Sequence, residues 1–100
     1  MFAGYVGLGS TLAGAFLVKN SQESPQNPDQ PPTYKVYGPA RLMQHGTGIA
    51  SKLDGDTGLY QYTVSADPSN GYEAGVCYRV FITAVVLGVT VAYEQSFIVT

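Results

Sequence analysis

The chain has 100 residues, 45% of them hydrophobic and only 12% charged, with a formal net charge of −2. That length holds one domain at most, with a modest core. The five basic residues (Lys19, Lys35, Arg41, Lys52 and Arg79) are too scattered to form the patch that nucleic-acid binding needs.

Residues 1–18 are apolar but carry no basic residue ahead of the run, and Gly4, Gly7, Gly9 and Gly14 interrupt it. A secretory signal wants a positive start and an unbroken centre, and a membrane span wants about 20 apolar residues. Neither fits, so the expected place of synthesis is the cytoplasm. Residues 2–8 read as a short strand and residues 7–10 as a turn. Residues 11–19 read as a second strand, with Leu12, Phe16 and Val18 on one face and Ala13, Ala15 and Leu17 on the other. Being apolar on both faces, it is expected to be buried on both sides or held against a neighbouring molecule.

Residues 20–33 change character: four prolines and no aliphatic residue exclude helix and central strand. Fourteen residues is long for a connector in so small a domain, and such loops often carry contacts. Residues 33–38 alternate, with Tyr34 and Val36 inward and Lys35 outward. A short strand over 40–44, a turn over 45–48, a short strand over 49–53 and a turn over 54–58 follow. Residues 59–66 alternate again. Residues 67–71 form a turn, expected to include a short helical turn through Glu73.

The last 25 residues read as a long β-hairpin. A two-residue type II′ turn at Gly88-Val89 would set Val86 against Val91, Ala84 against Tyr93, Ile82 against Gln95, Val80 against Phe97 and Tyr78 against Val99. That face is apolar except for Gln95. The other carries Arg79 and Glu94, which a one-residue slip would bury. Six to eight short strands with frequent Gly, Pro and Asp turns, and no useful helical periodicity, predict an all-β sandwich. With charged residues at about half their usual share, the domain is expected to expose apolar surface for a partner.

No catalytic set emerges. His45, the only histidine, sits in an expected turn with no acid, cysteine or serine arranged around it. Cys77, the only cysteine, excludes an internal disulfide and reads as a small buried apolar residue. One His and one Cys cannot close a zinc site. Asp54-Gly55-Asp56 has the look of a calcium half-loop, but Ser65 stands where the closing Glu belongs, and Asp-Gly is also a standard turn. Gly7-Leu8-Gly9 lacks the third glycine and the helix of a dinucleotide fingerprint. Tyr72 or Tyr78 is expected to tie a loop to the sheet through its hydroxyl. No metal or cofactor is expected, and the chain reads as no enzyme.

Three segments occur in this order: Pro31-Pro32-Thr33-Tyr34-Lys35-Val36-Tyr37-Gly38-Pro39, Asp56-Thr57-Gly58-Leu59-Tyr60-Gln61-Tyr62, and Asn70-Gly71-Tyr72-Glu73-Ala74-Gly75-Val76-Cys77-Tyr78-Arg79-Val80. So arranged, residues 31–100 resemble the small Ig-like β-sandwich structural proteins of tailed-bacteriophage virions. The resemblance implies an Ig-like antiparallel sandwich and a non-enzymatic role as a capsid decoration (cement) protein, with a neck or tail adaptor as the alternative. It implies a virion location, other virion proteins such as the major capsid protein as partners, and a homo-oligomer, with no nucleic acid or membrane. Residues 1–19 are then an interaction arm whose removal leaves a folded sandwich, 20–33 a Pro-rich loop, and 34–100 the sandwich body. The expected partner interface is Phe2, Tyr5, Leu12, Phe16, Leu17, Pro31 and Pro32. A carbohydrate- or receptor-binding module, stacking sugars on Tyr60, Tyr62 or Tyr93, stays open as a different class.

Overall fold

A computed structural model describes residues 1–39, 44–53 and 55–100. Its strands are β1 (Phe2–Val6), β2 (Thr11–Leu17), β3 (Thr33–Tyr37), β4 (Gln44–Ile49), β5 (Ser51–Lys52), β6 (Leu59–Ser65), β7 (Cys77–Val86) and β8 (Val89–Val99), with one 3-10 turn at Pro68–Asn70. They form two sheets, in the orders β1-β8-β7-β3-β4 and β2-β6-β5. This is an Ig-like sandwich: β2, β6 and β5 stand as strands B, E and D, and β8, β7, β3 and β4 as G, F, C and C′. Every described pairing is antiparallel except one, since β1 runs parallel to β8.

The core lies where the alternating faces meet. β6 contributes Tyr60, Tyr62 and Val64, β7 contributes Tyr78, Val80, Ile82, Ala84 and Val86, and β8 contributes Phe97 and Val99. Tyr78 plays the predicted tying role: its hydroxyl accepts from the Glu73 backbone N–H at 2.8 Å, while its ring stacks on Phe97 at 5.6 Å. The predicted turn after β6 is there, with Asp67 capping the 3-10 turn by accepting from the Ser69 backbone N–H at 3.0 Å.

The C-terminal hairpin keeps the predicted faces but not the predicted register. Its turn is Leu87-Gly88, one residue earlier than expected, so Val86 pairs with Val89, Ala84 with Val91, Ile82 with Tyr93, Val80 with Gln95 and Tyr78 with Phe97. Both turn residues have positive φ, 50° and 79°, the signature of a type I′ rather than a type II′ turn. Shifting the partner by two residues preserves every inward and outward side chain, so hydrophobic alternation alone cannot distinguish the two registers. What selects the turn is Asp29, far off in the Pro-rich segment. Its carboxylate accepts from the Leu87 N–H at 3.1 Å and the Gly88 N–H at 2.9 Å, and its own N–H donates to Val85 O at 2.7 Å.

The Pro-rich segment is therefore a strap laid on the sandwich. Asn20 Oδ1 accepts from Gln22 and Ser24 N–H to turn the chain. Asn27 Oδ1 accepts from Gly58 N–H at 2.8 Å and Lys52 Nζ at 3.2 Å. Pro32 is fully buried, and its carbonyl accepts from Ala50 N–H.

Three further expectations change. The expected turn over 45–48 is strand β4, paired with β3 through Lys35–Thr47 and Tyr34–Gly48. The strand expected over 49–53 breaks at Ala50, where the chain leaves one sheet and enters the other as β5. Residues 1–19 are built into the sandwich: β1 supplies Val6 to the core, and Phe16 and Val18, in and just after β2, are buried too. Removing them would strip two strands and open the core, so a folded sandwich without them is no longer expected. The strand expected over 40–44 falls mostly outside the described residues, as does Asp54 of the expected calcium half-loop.

Candidate interaction surface

One flank of the sandwich is left open. β2 is an edge of the small sheet and β1 an edge of the large one. β2 is not buried on both sides as its composition suggested. Gly14 and Phe16 face the core, whereas Ala13 and Ala15 are exposed. Small alanines can face water at little cost, so apolar character on both faces did not mean burial on both faces. Gly14 is a close-approach position: a Cβ there would fall within the Tyr62 ring on the neighbouring β6.

The free edge of β2 is closed in part by side chains reaching across from β8. The Tyr62 hydroxyl donates to Gln95 Oε1 at 2.6 Å, and Gln95 Nε2 donates to Ala15 O at 2.9 Å. Gln95, only 4% exposed, thus links β6, β8 and β2 through the core. A buried amide is tolerated because its groups are bonded. The Tyr93 hydroxyl accepts from the Lys19 N–H at 3.2 Å, just beyond the end of β2. Burial pushes the Tyr62 hydroxyl up to about 12. Burial, followed by the neighbouring hydroxyls of Tyr78 and Tyr34, does the same to Tyr72. The hydrogen bonds from Ser69 hold the Asp67 carboxyl below its usual range.

β1 completes only part of β8. It pairs with residues 96–99, and Met1 reaches one step further, its amino group lying 3.4 Å from Glu94 O. Among the described residues, residues 89–93 have a partner strand on the β7 side alone. Two clefts of about 490 Å³ each lie along this flank and share Lys19, Glu23 and Tyr93. One is walled by Val86, Leu87, Val89 and Val91; the other runs under Met1, Phe16 and Leu59. The charges at their rim are already paired, Lys19 with Glu23 at 3.8 Å and Glu94 with Arg79 at 3.5 Å.

The expected interface residues scatter. Phe2 (50% exposed) and Tyr5 (66%) lie on β1 with their rings edge-to-face at 5.2 Å. Leu12 and Leu17 are half-buried, and Pro31 is exposed. Phe16 and Pro32 belong to the core and are unavailable to a partner. Phe16 packs among Tyr60, Tyr62 and Tyr93. Of the expected stacking tyrosines, Tyr60 and Tyr62 are buried, and Tyr93 is half-buried. Cys77 is exposed at the start of β7, contrary to its expected burial. His45 lies on β4, and its side chain is outside the described residues. Among the described residues no group of three or more His, Cys, Asp or Glu side chains gathers to hold a metal. Leu87 and Val89 at the hairpin tip, 68% and 62% exposed, were missed, because a hairpin face predicts nothing about what lies beyond its edge.

No protein-family model matches the chain, and no curated protein matches it.

Proposed function

We propose that this chain is a non-enzymatic structural protein that works by docking, and that it serves as a decoration protein on a tailed-phage capsid. The observation that carries the docking role is the exposed, uncharged aromatic pair Phe2–Tyr5 on an edge strand. Aromatic side chains offer large contact area and are enriched at interfaces, while charged residues are depleted there. An edge strand also offers main-chain hydrogen bonds to another chain. The virion assignment rests on the resemblance of residues 31–100 to phage sandwich proteins, with major capsid protein subunits as the partners. A neck or tail adaptor is the second reading, supported by the same edge.

Cosedimentation of the purified chain with phage capsids prepared without it tests the proposal. A saturable, stoichiometric fraction bound to capsids, lost in Tyr5→Lys, supports it. Absence from capsids with immunogold labelling at the neck or tail selects the adaptor. Absence from the whole particle overturns the virion reading.

A further inference from the structure

We propose that the uncovered half of β8 is a homodimerisation edge, at which two copies pair antiparallel and join their five-stranded sheets into one of ten strands. This goes beyond the docking role above and does not depend on which particle, if any, the chain enters.

The direction of the free groups is fixed by the bonds already made. Ser96 N–H donates to Met1 O at 2.8 Å, Thr100 N–H donates to Val6 O at 2.8 Å, and Val99 N–H donates to Val76 O on the opposite side. Even-numbered residues of β8 therefore direct their main-chain groups toward β1. At Thr90 and Ala92, where β1 is absent, those groups face the open flank. Only another extended main chain complements such a row.

The occupant is a second copy because the edge is complementary to itself. An antiparallel pair about a two-fold axis at Val91 would set Val91 against its symmetry mate and Val89 against Tyr93 on the inner face. Thr90 would meet Ala92 on the outer face, and the new ladder would end there, because Glu94 O already faces the Met1 amino group and the Gly88 N–H is already given to Asp29. No like charges oppose one another, and β-branched and aromatic pairs line the inner face. The exposed apolar side chains also cluster at the two ends of this stretch. Leu87 and Val89 stand at one end, Met1 (86% exposed) and Phe2 at the other. Antiparallel pairing brings the first set of one copy to the second set of its mate, twice, as an isologous interface requires. The rim charges, already paired within each copy, leave the shared clefts neutral.

Sedimentation velocity over a concentration series, on the full chain and two variants, tests this. Ala92→Pro removes one edge N–H that points away from β7, so the monomer's own ladder is spared. Val89→Asp places a charge at an exposed site beside Tyr93 of the mate. The wild type should be a dimer whose dissociation constant rises at least about tenfold in each variant, with circular dichroism unchanged. A wild-type monomer at every concentration, a trimer or larger ring, or a dimer indifferent to both variants would overturn the proposal. If Ala92→Pro loses its fold, Val89→Asp alone decides. A dimer absent from the whole phage particle would reject the virion reading while leaving this one standing.

Discussion

The two halves of β8 are one strand with two fates. Residues 96–99 are flanked by β1 and β7, and Phe97 and Val99 are fully buried. Residues 89–93 carry similar β-forming side chains but, among the described residues, have β7 alone, and Val89 stays 62% exposed. Gln95 sits at the junction and anchors both halves to the small sheet. The contrast teaches that strand propensity and alternation make the strand, whereas the neighbour on its far side decides whether its apolar residues act as core or as surface.

Five perturbations sharpen this contrast, beginning with the largest effect and its control. Phe97→Ala, in the covered half, should cost about 3–5 kcal/mol in chemical denaturation. Val89→Ala, in the bare half, should change the monomer by about 0.5 kcal/mol or less; similar losses at the two sites would erase the distinction. At the junction, Gln95→Ala strands the Tyr62 hydroxyl and the Ala15 carbonyl and should cost about 2–3 kcal/mol. A near-neutral result would mean that water replaces the amide.

High pH attacks Tyr62 at this junction and Tyr72 elsewhere in the core, against Tyr78 and Phe97. Tyr62 and Tyr72 are held neutral in the folded chain up to about 12, above the ordinary value of 10.0. Their contribution is intact below pH 10 and is lost as pH rises from 10 through 12, because the unfolded chain then sheds protons that the folded chain retains. The melting temperature should therefore fall across that window, less steeply in Tyr72→Phe. A flat profile would contradict the burial of these hydroxyls. A smaller effect, above only that of Val89→Ala, belongs to the hairpin tip, at the bare end. Asp29→Ala frees two turn amides that water can reach and should cost about 1 kcal/mol by the same denaturation assay.

Much of this fold was legible in the chain. The sandwich class, the alternation of β6, the inward faces of β7 and β8, the turn after β6 and a tyrosine tie by Tyr72 or Tyr78 all follow from alternation and turn chemistry. The hairpin register did not, because a two-residue shift keeps every face and the deciding carboxylate, Asp29, comes from 58 residues away. The 20–33 strap was equally hidden: its composition excludes helix, yet Asn27 and Asp29 hold it through partners that only the tertiary fold brings near. For β2, composition did not separate burial on both sides within the chain from a face left for a neighbouring molecule: Ala13 and Ala15 are apolar by type but small enough to face solvent. Of the surface, Phe2 and Tyr5 were expected as contact residues of an arm; the edge strand that exposes them, built into the large sheet beside β8, was not legible. Nor was the bare half of β8, since pairing by β1 depends on a parallel contact between the two ends of the chain.

The most direct measurement of the central claim is amide hydrogen exchange along β8, residue by residue, in dilute and concentrated protein. The Ser96 amide, bonded to Met1 O, should be protected at both concentrations. The Thr90 and Ala92 amides should exchange freely when dilute and slow sharply as the dimer forms. Free exchange of those two amides in a concentrated, dimeric sample would contradict the account, as would their protection in the dilute monomer.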